Sequence, residues 1–209
     1  MTEAQSERRR LLIATGSQHK FAELSALLDL PNTGLVSLAD LDIPDDVDET
    51  GSTFEDNARL KAKHYAAASG LPTLADDSGI EVDALGGRPG VKTRRYAGAD
   101  ATDEKNNRKL LGEMAGFYGP DERTARYQCV LIFIEDTDIA ETTRGTFEGR
   151  VAFAPKGKGG FGYDPIFEPL TEKPGGRTVG QLSTEEKNRV SHRALAALLM
   201  RERLIARGY

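Results

Sequence analysis

The sequence predicts an α/β protein with a mixed β-sheet, and three observations carry that reading. Short apolar runs alternate with amphipathic stretches through residue 82, two long strand-like runs follow at 126–134 and 142–153, and the C-terminus is helical. The 209 residues are enough for one sizeable core, and no linker-like segment divides them.

The first ten residues are polar and basic and read as a flexible tail, leaving 11–209 as a single domain. Residues 11–15 form the first strand, and 20–30 a helix with Phe21, Leu24, Leu27 and Leu28 on one face. A short strand at 35–38 leads into an acidic loop holding Asp42, Asp45, Asp46, Asp48 and Glu49. Thr53 is a good N-cap for a second helix, which must stop before Gly70 and Pro72. Strand-like segments at 73–75 and 80–82 flank Asp76-Asp77-Ser78-Gly79, a sequence with turn chemistry. A glycine-rich loop at 86–90 precedes a helix over 103–115, capped by Thr102. Of the two long strands, the first ends in a nearly continuous apolar run, which predicts a central position. A second glycine-rich loop covers 156–163, and Leu195, Leu198, Leu199 and Leu204 supply the expected apolar side of the last helix.

Composition excludes several function classes. With 28 Lys+Arg against 33 Asp+Glu the formal charge is −5, a poor balance for wrapping duplex DNA. The chain is 38% hydrophobic, too apolar for a disordered protein, and no apolar run approaches the roughly 18 residues of a membrane span. The run from Leu11 to Ala14 is too short for a signal peptide. One cysteine, Cys129, leaves no internal disulfide and no zinc spacing, in keeping with a reducing cytoplasm.

Five constellations could carry chemistry. Thr15-Gly16-Ser17-Gln18-His19-Lys20 joins the first strand to the first helix, where free N–H groups and Lys20 can hold an anion. An ordinary βα turn capped by Ser17 explains the same residues. Lys61 falls inside the apolar stripe of Phe54, Ala58, Ala62 and Tyr65, so it must either snorkel out or meet an anion. Asp76 and Asp77, with the acidic loop ending at Glu49, are either a solvated turn or ligands for a hard cation. Gly157 to Gly162 formally matches GxGxxG, but Pro165 prevents the helix a dinucleotide site needs. A flexible loop with two aromatics, Phe161 and Tyr163, better suits stacking on a base or sugar. Finally, Lys187 and Ser191-His192-Arg193 gather donors near helix starts, with Ser183 and Glu186 forming a capping box. Together they ask for a phosphorylated ligand, a divalent metal and a planar ring.

These residues resemble the Ham1/RdgB-type inosine and xanthosine triphosphate pyrophosphatases. The resemblance runs through Ala14-Thr15-Gly16, Glu49-Thr50-Gly51, Thr53-Phe54, Asn57-Ala58, Lys61-Ala62 and Ala75 to Gly79. It continues through Leu85-Gly86-Gly87, Pro89-Gly90, Arg95 to Gly98, Gly159 to Phe167, Glu186-Lys187 and Ser191-His192-Arg193. Ser17 and His19 depart from the family, which often has Asn and Gly there. The resemblance implies an elongated two-lobed fold with a central cleft, a homodimer and Mg²⁺-dependent hydrolysis of ITP, dITP or XTP to monophosphate and pyrophosphate. It also implies that Glu49 and Asp77 bind metal, that Asp77, with Asp76, activates water, and that Lys61 holds phosphates. Thr15 to Lys20 would cradle the phosphate tail. Ser78, Phe161, Gly162, Tyr163, Asp164, Lys187, His192 and Arg193 would surround the nucleoside. Three other readings are a Maf-like pyrophosphatase for pyrimidine or modified nucleotides, a nucleotide sensor without turnover, and an RNA-binding module; the acidic balance disfavours the last.

Overall fold

The computed structural model describes residues 8–136 and 138–209. Most of the expected tail, residues 1–7, lies outside the described residues, and its last residues belong to the first strand. In chain order the elements are β1 (Arg9–Ala14), α1 (Gln18–Leu28), β2 (Thr33–Ser37), α2 (Phe54–Ser69), β3 (Thr73–Val82) and α3 (Asp103–Glu113). Then come β4 (Thr124–Glu135), β5 (Asp138–Val151), β6 (Phe167–Pro169), α4 (Thr184–Val190) and α5 (His192–Ala206). The sheet runs β2-β1-β3-β4-β5-β6. β1 pairs in parallel with β2 and β3, and the remaining pairs are antiparallel, so the sheet is mixed and β4 is interior.

Strand alternation sorts the core into layers. On β1, Leu11 and Ile13 face α1 and α5, whereas Leu12 and Ala14 face α2. β4 repeats the pattern: Leu131 and Phe133 lie on the α1/α5 side, Val130 and Ile132 on the α2 side. The far ends of β3, β4 and β5 enter a second cluster with Leu110 of α3, Met114 at its C-cap, Phe167 and Ile166. β3 therefore runs from one cluster to the other, and its middle, between them, carries Asp76 to Gly79.

Two expectations are corrected. Asp76 to Gly79 form no turn: they are interior residues of one continuous strand, paired in register with Leu131, Val130, Cys129 and Gln128 of β4. Ladder pairing along a long neighbour overrides local turn chemistry. On α5, Leu195, Leu198 and Leu199 are 40%, 46% and 46% exposed, and the buried face is Ala196, Ala197, Met200 and Leu204. The reason is close approach. A Cβ on Gly145 of β5 would stand 2.1 Å from the His192 carbonyl oxygen, so the first turns of α5 lie directly on the strand and leave room there only for small residues such as Ala196.

Candidate functional site

The site is built around β3. Because successive side chains on a strand point to opposite faces, Asp76 and Asp77 are adjacent in sequence but separated by the sheet. Asp77 shares its face with Ala75, against α2, and there it meets the polar interruption of that helix's apolar stripe. Lys61 and Asn57 are four residues apart on one face of α2. Asn57 Nδ2 donates to Asp77 Oδ2 at 3.1 Å, and Lys61 Nζ donates to Asp77 Oδ1 at 3.3 Å and to Glu49 Oε1 at 2.7 Å. Lys61 thus meets anions instead of snorkelling, while Arg59 and Lys63 stay exposed. Burial opposes its charge, but Asp77, Asp76 and Glu49 outweigh that and hold the ammonium protonated above the usual lysine range. Asp77 goes the other way: burial, reinforced by the Glu49 charge, raises its pKa despite Lys61.

Asp76 is 1% exposed and faces α1 and α5. Lys20 Nζ lies 2.9 Å from its Oδ2, Arg193 Nε 3.8 Å away, and Ser78 Oγ donates to it at 3.3 Å. Burial would raise its pKa, but Lys20, Arg193 and Lys61 outweigh it and hold the carboxyl far below the usual range. The same face meets a residue that sequence reasoning missed. Glu23, one turn into α1, pairs with Lys187 Nζ at 2.9 Å and with the Arg193 guanidinium. Burial opposes its ionisation, yet Arg193 and Lys187 lower its pKa.

The second glycine-rich loop is tied down and is not the free loop expected. Phe161 N–H donates to Asp164 Oδ2 at 3.0 Å, Gly159 N–H to the Gly180 carbonyl at 2.9 Å, and a Cβ on Gly160 would fall 2.0 Å from Asp164 Oδ2. Pro165 sits in a single 3₁₀ turn over Asp164–Ile166, and no helix follows the GxGxxG match. Tyr163 does not join Phe161 as a stacking surface. It is packed in the second cluster, its hydroxyl donating to the Thr93 carbonyl at 2.9 Å. Phe161 stacks on His19 at 5.6 Å and lies 4.5 Å below the Lys187 ammonium, which also donates to Asp164 at 2.8 Å. His192 stacks on Tyr127 at 4.6 Å, and burial, with Arg193 and Lys187 nearby, drives its pKa well below 6.5.

Every residue expected from the sequence except Asp76 lines one cleft of about 400 Å³. Gln18 and Lys20 stand at its α1 rim, where Ser17 caps the helix and first-turn N–H groups lack intrahelical partners. Gly16 is required here because a Cβ would lie 2.0 Å from the Asp45 carboxylate. Lys20, Lys61, Lys187 and Arg193 do converge, and Arg94 adds a fifth cation. Five carboxylates answer them on the same walls: Asp45, Glu49, Asp77, Asp103 and Asp164. The cleft is therefore charge-balanced and not positive. Asp45 and Thr93 also line it, and Asn57, fully buried behind Asp77, supports it from α2; of these only Asn57, four residues before Lys61, could have been found from helical spacing.

Known proteins resemble this chain over nearly its whole length. The Ham1 family profile matches residues 11–203. A dITP/XTP pyrophosphatase from Shigella flexneri is 44% identical over 197 residues, covering 93% of this chain and 98% of that protein. One from Symbiobacterium thermophilum is 47% identical over 198 residues, covering 95% and 96%. A solved HAM1 protein from Coxiella burnetii superposes with a TM-score of 0.84 at 37% identity, covering 95% of this chain and 99% of that one. With the fold, the ordered site residues and the relatives in accord over nearly the whole length, the chain belongs to the Ham1 family.

Proposed function

We propose that the protein hydrolyses deaminated purine nucleoside triphosphates, ITP, dITP and XTP, to the nucleoside monophosphate and pyrophosphate. The relatives named dITP/XTP pyrophosphatase support the substrate class. The observation that carries the chemistry is the Glu49–Lys61–Asp77 cluster in a cleft that Phe161 also lines.

Glu49 and Asp77 fit Mg²⁺ by donor chemistry: two hard carboxylates, the complement this ion takes before water and substrate phosphates fill its shell. Bound there, the ion would neutralise charge on the phosphates and polarise them. The balanced walls make that neutralisation necessary, since a triphosphate brings about four negative charges near neutral pH. Water attacks the α-phosphorus, its oxygen forming the new P–O bond as the bond to the bridging oxygen breaks. Asp77 takes the proton. Asp77 faces the cleft and is free for this role, while Asp76 is already committed to Lys20 and Arg193. Lys61 and Lys20, with the N-terminus of α1, hold the phosphates and the departing pyrophosphate.

Phe161 supplies a stacking face for the base. Lys187, Arg193 and Ser78 present donors to a 6-keto oxygen, and His192 is an uncharged partner at neutral pH. Adenine carries an amino group at that position and would leave buried donors unpaired, a mismatch worth orders of magnitude in selectivity. A homodimer and a cytoplasmic location belong to the same proposal, and light scattering reads the first. No helix among the described residues is long and apolar enough to cross a membrane.

The test is a panel of ITP, dITP, XTP, GTP, ATP and pyrimidine triphosphates with Mg²⁺, scoring monophosphate, pyrophosphate and orthophosphate. Pyrophosphate from ITP, dITP and XTP, with little from ATP, supports the proposal. Orthophosphate as the first product, preference for pyrimidines, or binding without turnover overturns it.

A further inference from the structure

Phe161 can serve as a platform only if something fixes its ring. It lies in a segment where Gly157, Gly160 and Gly162 have φ of 80°, 71° and 63°, and glycine has little preference of its own for one conformation. Part of the fixing comes from within the loop, through Asp164. The rest comes from α3. Asp103 Oδ2 accepts a hydrogen bond from the Gly162 N–H at 2.7 Å, and Asn107 Nδ2 donates to the Gly162 carbonyl at 3.0 Å. Four residues apart, the two side chains share one helix face and grip both polar groups of a single glycine. The helix is itself anchored: Thr102 caps it, and Leu110 and Met114 are buried in the second cluster. Between the two, Asn106 accepts from the Ala97 N–H at 2.8 Å and donates to the Arg94 carbonyl at 3.0 Å, so the same turn of α3 secures a second wall of the cleft.

We infer that Asp103 and Asn107 are positioning residues for base recognition, acting through the Gly162 peptide to hold Phe161 where a purine can stack. The inference rests on the function proposed above. It assigns these residues no part in proton transfer or phosphate binding. Their loss therefore falls on substrate affinity and not on the chemical step at Asp77.

The test is steady-state kinetics of the full chain with ITP and Mg²⁺ for Asp103→Ala, Asn107→Ala, Asp103→Asn, Phe161→Ala and the Asp103→Ala/Phe161→Ala pair. Each alanine on α3 is expected to raise KM about tenfold, the scale of a hydrogen bond to a charged or buried group. Turnover at saturation should change by less than about threefold. Asp103→Asn keeps an acceptor oxygen and should recover most of the affinity. In the Phe161→Ala background Asp103→Ala should add less than about twofold, because the ring it positions is gone. Asp103 is exposed, so its variants test the inference even if Asn107→Ala fails to fold. Unchanged KM in folded variants overturns the inference, as does full additivity with Phe161→Ala or a fall in kcat with KM unchanged. Failure of the wild-type chain to turn over ITP would instead count against the proposed function.

Discussion

The two faces of β3 carry neighbouring aspartates whose surroundings drive them apart. On one face Asp76 is enclosed by Lys20, Arg193 and Ser78, and its pKa is far below the ordinary range. On the other, Asp77 shares one ammonium, Lys61, with a second carboxylate, Glu49, and its pKa is raised. Both side chains are buried. What separates them is the ratio of cations to carboxylates, set by which helix each face meets. A fully compensated carboxylate is a fixed negative charge that orients Lys20 and Arg193. An under-compensated one retains affinity for a proton or a metal.

Substitutions that break this contrast should differ in size and kind. The largest effect is expected from Asp77→Asn, which removes the proposed base and a proposed metal ligand. Turnover should fall by about a thousandfold with the melting temperature near wild type. Lys61→Met should cost about a hundredfold in kcat. It should also move the acid limb of the pH–rate profile to higher pH, since Lys61 is the main charge lowering the Asp77 pKa. The sign follows from the base needing to be ionised: activity rises as pH climbs through the Asp77 pKa, and losing the cation raises that value. Asp76→Asn should act on the fold, costing about 3 kcal/mol in denaturant unfolding by leaving Lys20 and Arg193 short of a counter-ion. With Asp76 lower in pKa when folded than when unfolded, its contribution is present above the unfolded value and lost as pH falls toward the folded one. That acid sensitivity should be blunted in Asp76→Asn. The smallest effect is expected from His192→Gln, which should leave the acid limb in place because His192 is already neutral across the working range.

Much of this was legible in the sequence, and the exceptions have physical causes. Helix caps are local, and Ser17, Thr53, Thr102, Ser183 and Ser191 all cap as their residue types predict. Lys61 stood out because a charge interrupted a 3.6-residue apolar period, and the buried cluster around it is the consequence. Asp76 to Gly79 misled because turn propensity is local, whereas the strand is imposed by pairing with β4, some fifty residues away along the chain. The leucines of α5 misled because hydrophobicity does not report how closely a helix must approach a sheet. Gly145, which sets that distance, is on another element. Glu23 was invisible for a similar reason. An exposed-looking glutamate on an amphipathic helix acquires its partners from α4 and α5, more than 160 positions later.

The most direct test of the central claim, that water attacks the phosphorus next to the nucleoside, is hydrolysis of ITP in oxygen-labelled water. Under single-turnover conditions with Mg²⁺, the label should appear in inosine monophosphate and be absent from pyrophosphate. Label in pyrophosphate would place the attack at the β-phosphorus and contradict the account.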